Sequence, residues 1–407
     1  MALALALPDT WAVMSGDGTI MQQLLSEEDL AFRDTVRRWV DAQVPKDWCR
    51  ALERREHEFP EELWERLTVF GAHGIGIPEE LGGQGGSILT QALFARELAR
   101  TAAGLSWVWG VTSFSGSKAI AYCGSESQRR AFLPQIAAGK LRTAMAFTEP
   151  GGGTDLLGGM RTRARKVDGG WVIDGEKIWS TCAHVADYLF LMARTRTEVD
   201  KRSDGISIFF VPRRSPGVTI TELPKLGMRC VASCSVRLDE VFVPDELLLG
   251  EEGRGWHPST RPLNNERLVN AATCLGMLDG VLEDALAHMR TREAFGRLIG
   301  EFQALQHYVA DMAMWQAQGE LMVLNTAALQ AAGKPSAMES NMAKVLCSEY
   351  VGKAADLGIQ ILGGMGYSAE TDMQRYWRDS RLLRIGPISN EMARNQIAEG
   401  LGLPRSF

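Results

Sequence analysis

The sequence predicts a mainly α-helical protein with a β domain inserted between two helical halves. Three observations predict it. Apolar residues recur at helical spacing from about residue 25 to 142, and again from 254 to the end. Between 143 and 253 the pattern gives way to short β-type runs separated by turn residues. The chain has 407 residues, enough for more than one core.

Residues 1–24 begin Met-Ala-Leu-Ala-Leu-Ala-Leu and then Pro8-Asp9. That apolar run is too short to cross a membrane, and no Lys or Arg precedes Arg33 to form a positive leader. The segment reads as an extension, loose or packed on a partner. Ser26-Glu27-Glu28-Asp29 is a Ser-x-x-acid cap opening a helix that carries Leu30, Phe32, Val36, Trp39, Val40 and Val44. The glycine-rich runs 71–76 and 81–86 follow no β-type run and open no helix, so they read as turns rather than phosphate loops. The first helical unit extends from 25 to 142.

The β unit spans 143–253. Strands are expected at Trp171–Trp179, Tyr188–Met192, Ile206–Val211, Val218–Ile220 and Val236–Leu238, with turns at Asp168-Gly169 and Asp174-Gly175. The second helical unit, 254–407, follows Gly253-Arg254-Gly255-Trp256. Its first helix is expected to start near Pro262 and to bury Leu268, Ala272, Leu275, Leu278 and Leu282.

The formal charge is -6 and no basic block exists, which argues against nucleic acid as a partner. The seven cysteines form no Cys-x-x-Cys pair. They read as reduced, buried thiols of a cytoplasmic protein rather than a metal site.

The run Met145-Ala146-Phe147-Thr148-Glu149-Pro150-Gly151-Gly152-Gly153-Thr154 turns sharply and offers two hydroxyls beside three glycines, whose backbone can approach a bound group closely. Alone it reads as a turn. Further along stand Trp179-Ser180-Thr181, Arg292-Glu293-Ala294-Phe295-Gly296, Phe302-Gln303, Gln360-Ile361-Leu362-Gly363-Gly364 and Tyr376-Trp377-Arg378-Asp379. Together, and in this order, these motifs resemble those of the acyl-CoA dehydrogenase superfamily, over about residues 25 to 400.

The resemblance implies an N-terminal helical domain, a small β-barrel-like domain and a C-terminal four-helix bundle. It implies FAD held by Met145, Phe147, Thr148, Gly153, Thr154, Trp179, Ser180 and Thr181, and by Arg292, Phe295, Gln303, Gln360, Gly363, Gly364, Ser389 and Glu391. Some of these reach the cofactor of a neighbouring subunit, so a homotetramer or dimer is implied. The implied reaction is α,β-dehydrogenation of an acyl-CoA or acyl-carrier thioester, with an electron-transfer flavoprotein taking the electrons.

One departure stands out. Most of the family carries its catalytic Glu near the C-terminus, and here that position is Pro387 in Ile385-Gly386-Pro387-Ile388-Ser389-Asn390-Glu391. Proline is no base, and it also lacks the backbone N–H that the family offers to the thioester oxygen. The segment Asn264-Asn265-Glu266-Arg267 resembles the one that carries the base in the isovaleryl-CoA and long-chain branches. On residues alone, Glu266 is an ordinary first-turn acid favoured by the helix dipole; the resemblance makes it the base. Thr154, His257, Asn264, Arg267, Gly386, Pro387 and Ile388 are the implied substrate contacts. Trp107, Trp109 and Phe114 would shorten the acyl pocket, which favours short or branched chains. A flavin-dependent monooxygenase and an enoyl-thioester reductase on the same fold are the competing readings, and the monooxygenase would have no use for Glu266.

Overall fold

A computed structural model describes residues 24–55 and 58–405. The expected N-terminal extension lies, except for Leu24, outside the described residues. Helix α1 (Glu27–Gln43) begins where the Ser26 side chain accepts a hydrogen bond from the Asp29 N–H at 3.1 Å. It buries Val36 and Val40, and Val44 follows at its end. Helices α2 (Lys46–Glu53) and α3 (Glu61–Phe70) follow. The glycine-rich runs are turns, linked by a bridge between Ile75 and Gly85.

Helix α4 (Ile88–Thr101) is buried along most of its length, charges included. Arg96 meets Asp279 at 2.7 Å and Glu320 at 2.8 Å, tying α4 to two C-terminal helices. Helix α5 (Ala103–Trp109) runs into a π-helical segment, Gly110–Gly116, before α6 (Ser117–Cys123) and α7 (Glu126–Ala137). A π segment widens the helical turn and is frequent at functional sites.

The middle domain is an eight-stranded sheet. Its strands are β1 (Thr143–Ala146), β2 (Arg163–Val167), β3 (Gly170–Thr181), β4 (Tyr188–Arg194), β5 (Ile206–Pro212), β6 (Val218–Leu223), β7 (Ser233–Pro244) and β8 (Leu248–Leu249). The path is β6-β7-β3-β2-β4-β5-β8, and β1 joins β4 in parallel. Asp168-Gly169 makes the β2–β3 hairpin turn, with Gly169 at φ 76°. Asp174-Gly175 does not turn the chain. It is an irregularity inside β3: the register with β7 shifts there, and the Asp174 carboxylate accepts the Glu240 N–H at 2.8 Å. A Cβ at Gly175 would lie 2.4 Å from Thr162 Oγ1, so a bulge with close packing explains this glycine.

The C-terminal domain is built on three long helices, α8 (Trp256–Thr291), α9 (Gln303–Ala331) and α10 (Ala337–Leu362), with α11 (Met373–Leu383) and α12 (Asn390–Gly400) packed on α10. Helix α8 starts at Trp256, earlier than expected, with Pro262 inside it. It crosses α4 closely: a Cβ at Gly276 would stand 1.9 Å from the Arg96 carbonyl oxygen, and one at Gly280 2.4 Å from that of Arg100. Only glycine permits that approach. All seven cysteines are buried and unpaired. Among the described residues no helix is long and apolar enough to cross a membrane.

Candidate active site

The site is assembled where α8, the π segment and β1 meet. Glu266 lies on α8, half-buried, and the Ser115 hydroxyl on the π segment donates to its Oε1 at 3.4 Å. Burial pushes the Glu266 carboxyl up to about 7; the Ser115 bond and the Arg267 charge oppose that rise without cancelling it. The π segment also holds the middle domain. Thr112 Oγ1 donates to the Thr143 carbonyl at 3.1 Å and accepts the Thr143 N–H at 2.9 Å. One short segment therefore joins Glu266 to the strand that leads into the Thr148 turn.

The start of α8 is braced by its neighbours. Asn265 Nδ2 donates to Gln330 Oε1 at 2.7 Å, and Gln330 Nε2 donates to Ser340 Oγ at 3.0 Å. Arg267 donates to Asn264 Oδ1 at 2.9 Å, so these two expected contacts come together beside the base. Burial lowers the Arg267 guanidinium to about 10 against the pull of Glu266. His257 is exposed in the first turn of α8. Nine residues of helix put it roughly 13 Å from Glu266 along the axis and on the opposite face. That placement keeps His257 out of direct contact with Glu266. Trp109 and Phe114 belong to the N-terminal core rather than to an open pocket wall: both are fully buried, and the Trp109 indole N–H donates to the Ala72 carbonyl at 2.9 Å. Trp107 is half-buried.

The second part of the site is the turn after β1. Glu149 is buried and accepts the backbone N–H groups of Arg161 at 2.6 Å and Thr162 at 3.0 Å, and the Lys177 ammonium at 2.8 Å. Lys177, fully buried, also donates to the Phe147 carbonyl at 3.2 Å. Burial alone would raise the Glu149 carboxyl, but Lys177 and these N–H groups hold it below its usual range. Burial in turn lowers Lys177 to about 8. The Ile178 N–H bonds the Thr148 carbonyl at 2.9 Å, which sets Thr148 beside Trp179.

Trp179 has φ 62°, sits at a second bulge in β3, and leaves 57% of its surface exposed. A bulky residue with positive φ is a strained outlier that persists where the surroundings enforce it. Thr181 is half-buried, whereas Ser180 is fully buried and its hydroxyl has no hydrogen-bond partner among the described residues. Ser180 therefore turns its side chain inward, contrary to the expected cofactor contact, and only its backbone is left for that role. Met145 and Phe147 are half-buried, while Gly153 and Thr154 are exposed. A Cβ at Gly151 or Gly153 would meet nothing within 4 Å, so these two positions border open space.

The remaining expected residues lie on the C-terminal domain. Arg292 and Phe295 stand on a small hairpin, Glu293–Ala294 with Arg297–Leu298. Its tip, Phe295 and Gly296, has positive φ at both residues, and Phe295 is 95% exposed. Gln303 is exposed at the start of α9, and Gln360, Gly363 and Gly364 are exposed at the end of α10. Ser389 caps α12 by accepting the Met392 N–H at 3.2 Å, and Glu391 is exposed in its first turn. Among the described residues no hydrogen bond or ion pair joins this group to Thr148 or Trp179. Gly386, Pro387 and Ile388 are half-buried in the loop between α11 and α12.

Three contributors escaped the sequence reading: Ser115, the Glu149–Lys177 pair, and Lys344, whose ammonium donates to the Ile388 carbonyl at 2.7 Å. A cleft of about 610 Å³ lies elsewhere, lined by Arg37, Arg38, Asp41, Arg100, Glu283 and Asp284 among others. It shares no residue with the Glu266 site, and ion pairs fill its walls.

Residues 26–140, 144–241 and 253–402 match the N-terminal, middle and C-terminal domains of acyl-CoA dehydrogenases, respectively. The chain is 33% identical over 395 residues to a mitochondrial isovaleryl-CoA dehydrogenase of Oryza sativa subsp. japonica, covering 95% of this chain and 96% of the other. The chain belongs to the acyl-CoA dehydrogenase family.

Another family member, the CarC subunit of the caffeyl-CoA reductase-Etf complex of Acetobacterium woodii, is 32% identical over 362 residues, 88% of this chain and 94% of that one. The solved butyryl-CoA dehydrogenase of Megasphaera elsdenii superposes with a TM-score of 0.87 at 28% identity, over 93% of this chain and 99% of the other. Helical N- and C-terminal domains around a β middle domain are thus the acyl-CoA dehydrogenase fold.

The residues present fit the FAD that the family implies. The Trp179 indole offers an uncovered apolar plane, and the open Gly151–Gly153 turn offers backbone to an approaching group. Thr148 is tied beside Trp179 through its carbonyl, Thr154 lies exposed further along the same turn, and Arg292 offers a cation for a pyrophosphate.

Proposed function

We propose that this protein is an FAD-dependent acyl-CoA dehydrogenase with Glu266 as its base. The observation that carries the reading is the Glu266 carboxyl, raised to about 7 by burial and held by Ser115 at the junction of two domains. A base that removes a weakly acidic proton works best with a pKa near the working pH. A monooxygenase on the same fold would have no need of such a group.

The substrate is a thioester, of CoA or of an acyl carrier. Glu266 in its carboxylate form takes a proton from the α carbon, and negative charge moves to the thioester oxygen. When bound, FAD supplies the acceptor for the hydride that leaves the β carbon as the α,β double bond forms. Trp179, Thr148 and Thr154 position that acceptor, and the Glu149–Lys177 pair fixes the turn that presents them. Arg267, steadied by Asn264, keeps a positive charge near the base and limits the rise of its pKa.

Short or branched acyl groups fit best. The relatives named above act on isovaleryl and butyryl thioesters by their names, and a side chain at Gly386 would meet nothing within 4 Å, so room exists there for a branch. An electron-transfer flavoprotein is the proposed electron acceptor; the Acetobacterium relative is, by its name, a subunit of a complex with Etf. A second copy of the chain is the proposed cover for Phe295, in a dimer or tetramer. An apolar ring 95% exposed on a strained hairpin tip is best explained by a partner.

The test is an anaerobic titration of the holoenzyme with isovaleryl-CoA, butyryl-CoA and longer straight-chain thioesters. Loss of the visible flavin absorption with the short or branched members supports the reading. Loss with none of them contradicts it.

A further inference from the structure

Removing a proton next to a thioester carbonyl creates negative charge on its oxygen, and that charge needs hydrogen-bond donors already in place. The loop Gly386–Ser389 is held to α10 by Lys344, one helical turn beyond Ser340, and Gln330 links Ser340 to Asn264 and Asn265, just before the base on α8. Pro387 in this loop has no N–H to give. The next residue, Ile388, has φ 67°. A β-branched side chain is poorly tolerated in that region, so the conformation must be enforced.

The enforcing contact is visible. Lys344, 1% exposed, donates to the Ile388 carbonyl at 2.7 Å and to Asn390 Oδ1 at 2.6 Å. Asn390 is fastened in turn to Ser348 Oγ at 3.1 Å. Both hydrogen-bond acceptors of Lys344 are neutral, and among the described residues it makes no ion pair. A buried ammonium held only by neutral oxygens is expensive for a fold, and burial lowers Lys344 to about 8 although the nearby Glu391 charge opposes that fall. Meanwhile the Ile388 N–H makes no hydrogen bond to any described residue, and neither does that of Ser389.

We propose that Lys344 is a positioning residue that locks Ile388 in its left-handed conformation, and that the free Ile388 N–H is the catalytic donor to the thioester oxygen in place of the one Pro387 lacks. The inference rests on the thioester reading of the Glu266 site.

The test uses isovaleryl-CoA labelled with 13C at the thioester carbonyl, bound to the holoenzyme in an E266Q background so that the substrate persists. Infrared difference spectra read the carbonyl stretch, which falls in frequency as donors engage the oxygen. Two changes are compared with this parent: K344M, and replacement of the Ile388 amide by an ester through its α-hydroxy acid. The ester leaves every side chain intact and removes only the N–H. Both are expected to move the band back toward its frequency in water.

With Glu266 restored, kcat is expected to fall toward the roughly 10²–10³-fold loss typical of one missing oxyanion donor, with KM changing far less. An ester variant with an unmoved band and unchanged kcat would overturn the proposal and leave the Ser389 N–H as the donor. A K344M protein that binds the thioester with the parent band would overturn the role of Lys344. If the labelled thioester and its straight-chain analogues show no bound band at all, the thioester reading itself fails and the inference falls with it.

Discussion

Ser115 Oγ lies 3.4 Å from Glu266 Oε1 although 151 positions separate the two residues. The π segment carries Ser115 over the first half of α8, and Gly276 and Gly280, further along that helix, let α4 come close. A hydroxyl that donates to a carboxylate stabilises the charged form. Ser115 therefore sets how basic Glu266 is.

The rate of flavin reduction by substrate is expected to rise with pH through a limb near 7, as Glu266 loses its proton. Since Ser115 lowers that pKa, S115A should move the limb to higher pH without abolishing turnover. Stopped-flow pH profiles of the two proteins check this. A limb that stays in place or moves down would remove Ser115 from the account.

The raised pKa also makes a stability prediction. A carboxyl whose folded-state pKa lies above its unfolded value favours the folded state at low pH, and that advantage is lost as pH rises through about 7. E266Q has no such loss. It should be more stable than wild type at pH 8, by an amount on the order of 2 kcal/mol, and should show little difference at pH 5. Urea unfolding at the two pH values is the measurement.

K177M should destabilise the middle domain by about 3–5 kcal/mol, because it leaves the Glu149 charge buried without its cation. Removing both charges in E149L/K177M should cost less than the sum of the single changes. Additive losses in thermal melts would mean that the pair is not coupled.

W179G should separate stability from function. Glycine relieves the positive φ of Trp179, a gain of about 1 kcal/mol, and the half-exposed indole loses little burial. The apo protein should gain in thermal midpoint while the holoprotein loses FAD more readily on dilution. A variant that keeps the cofactor as tightly as wild type would show that the exposed indole does not contact it.

Periodicity sufficed for most elements, since a helix or strand that buries one face must repeat its apolar residues. The Ser26 cap and the strands from Tyr188, Ile206, Val218 and Val236 all stand near where their residues predict them. Asp174-Gly175 misled because the same dipeptide suits a hairpin turn and a bulge, and only the pairing with β7 decides between them. The start of α8 was placed too late because Pro262 reads as a first-turn proline, yet the helix continues back through it to Trp256.

Thr148, Thr154 and Trp179, the proposed cofactor contacts, were legible as parts of local motifs. Ser115 and Lys344 were not, because each matters through one long-range contact that leaves no local pattern. Ser180 shows the opposite failure: its place in a motif hid the bulge at Trp179, which breaks the strand alternation and turns the Ser180 side chain inward.

The central claim is that Glu266 removes the α proton. The most direct test mixes wild-type and E266Q holoenzyme anaerobically with the acyl-CoA that reduces the wild type best, and follows the flavin absorption in a stopped-flow instrument. The account predicts that E266Q binds the thioester but is reduced more slowly by roughly 10²–10⁴-fold, the usual contribution of a positioned base. Reduction of E266Q at the wild-type rate would contradict it.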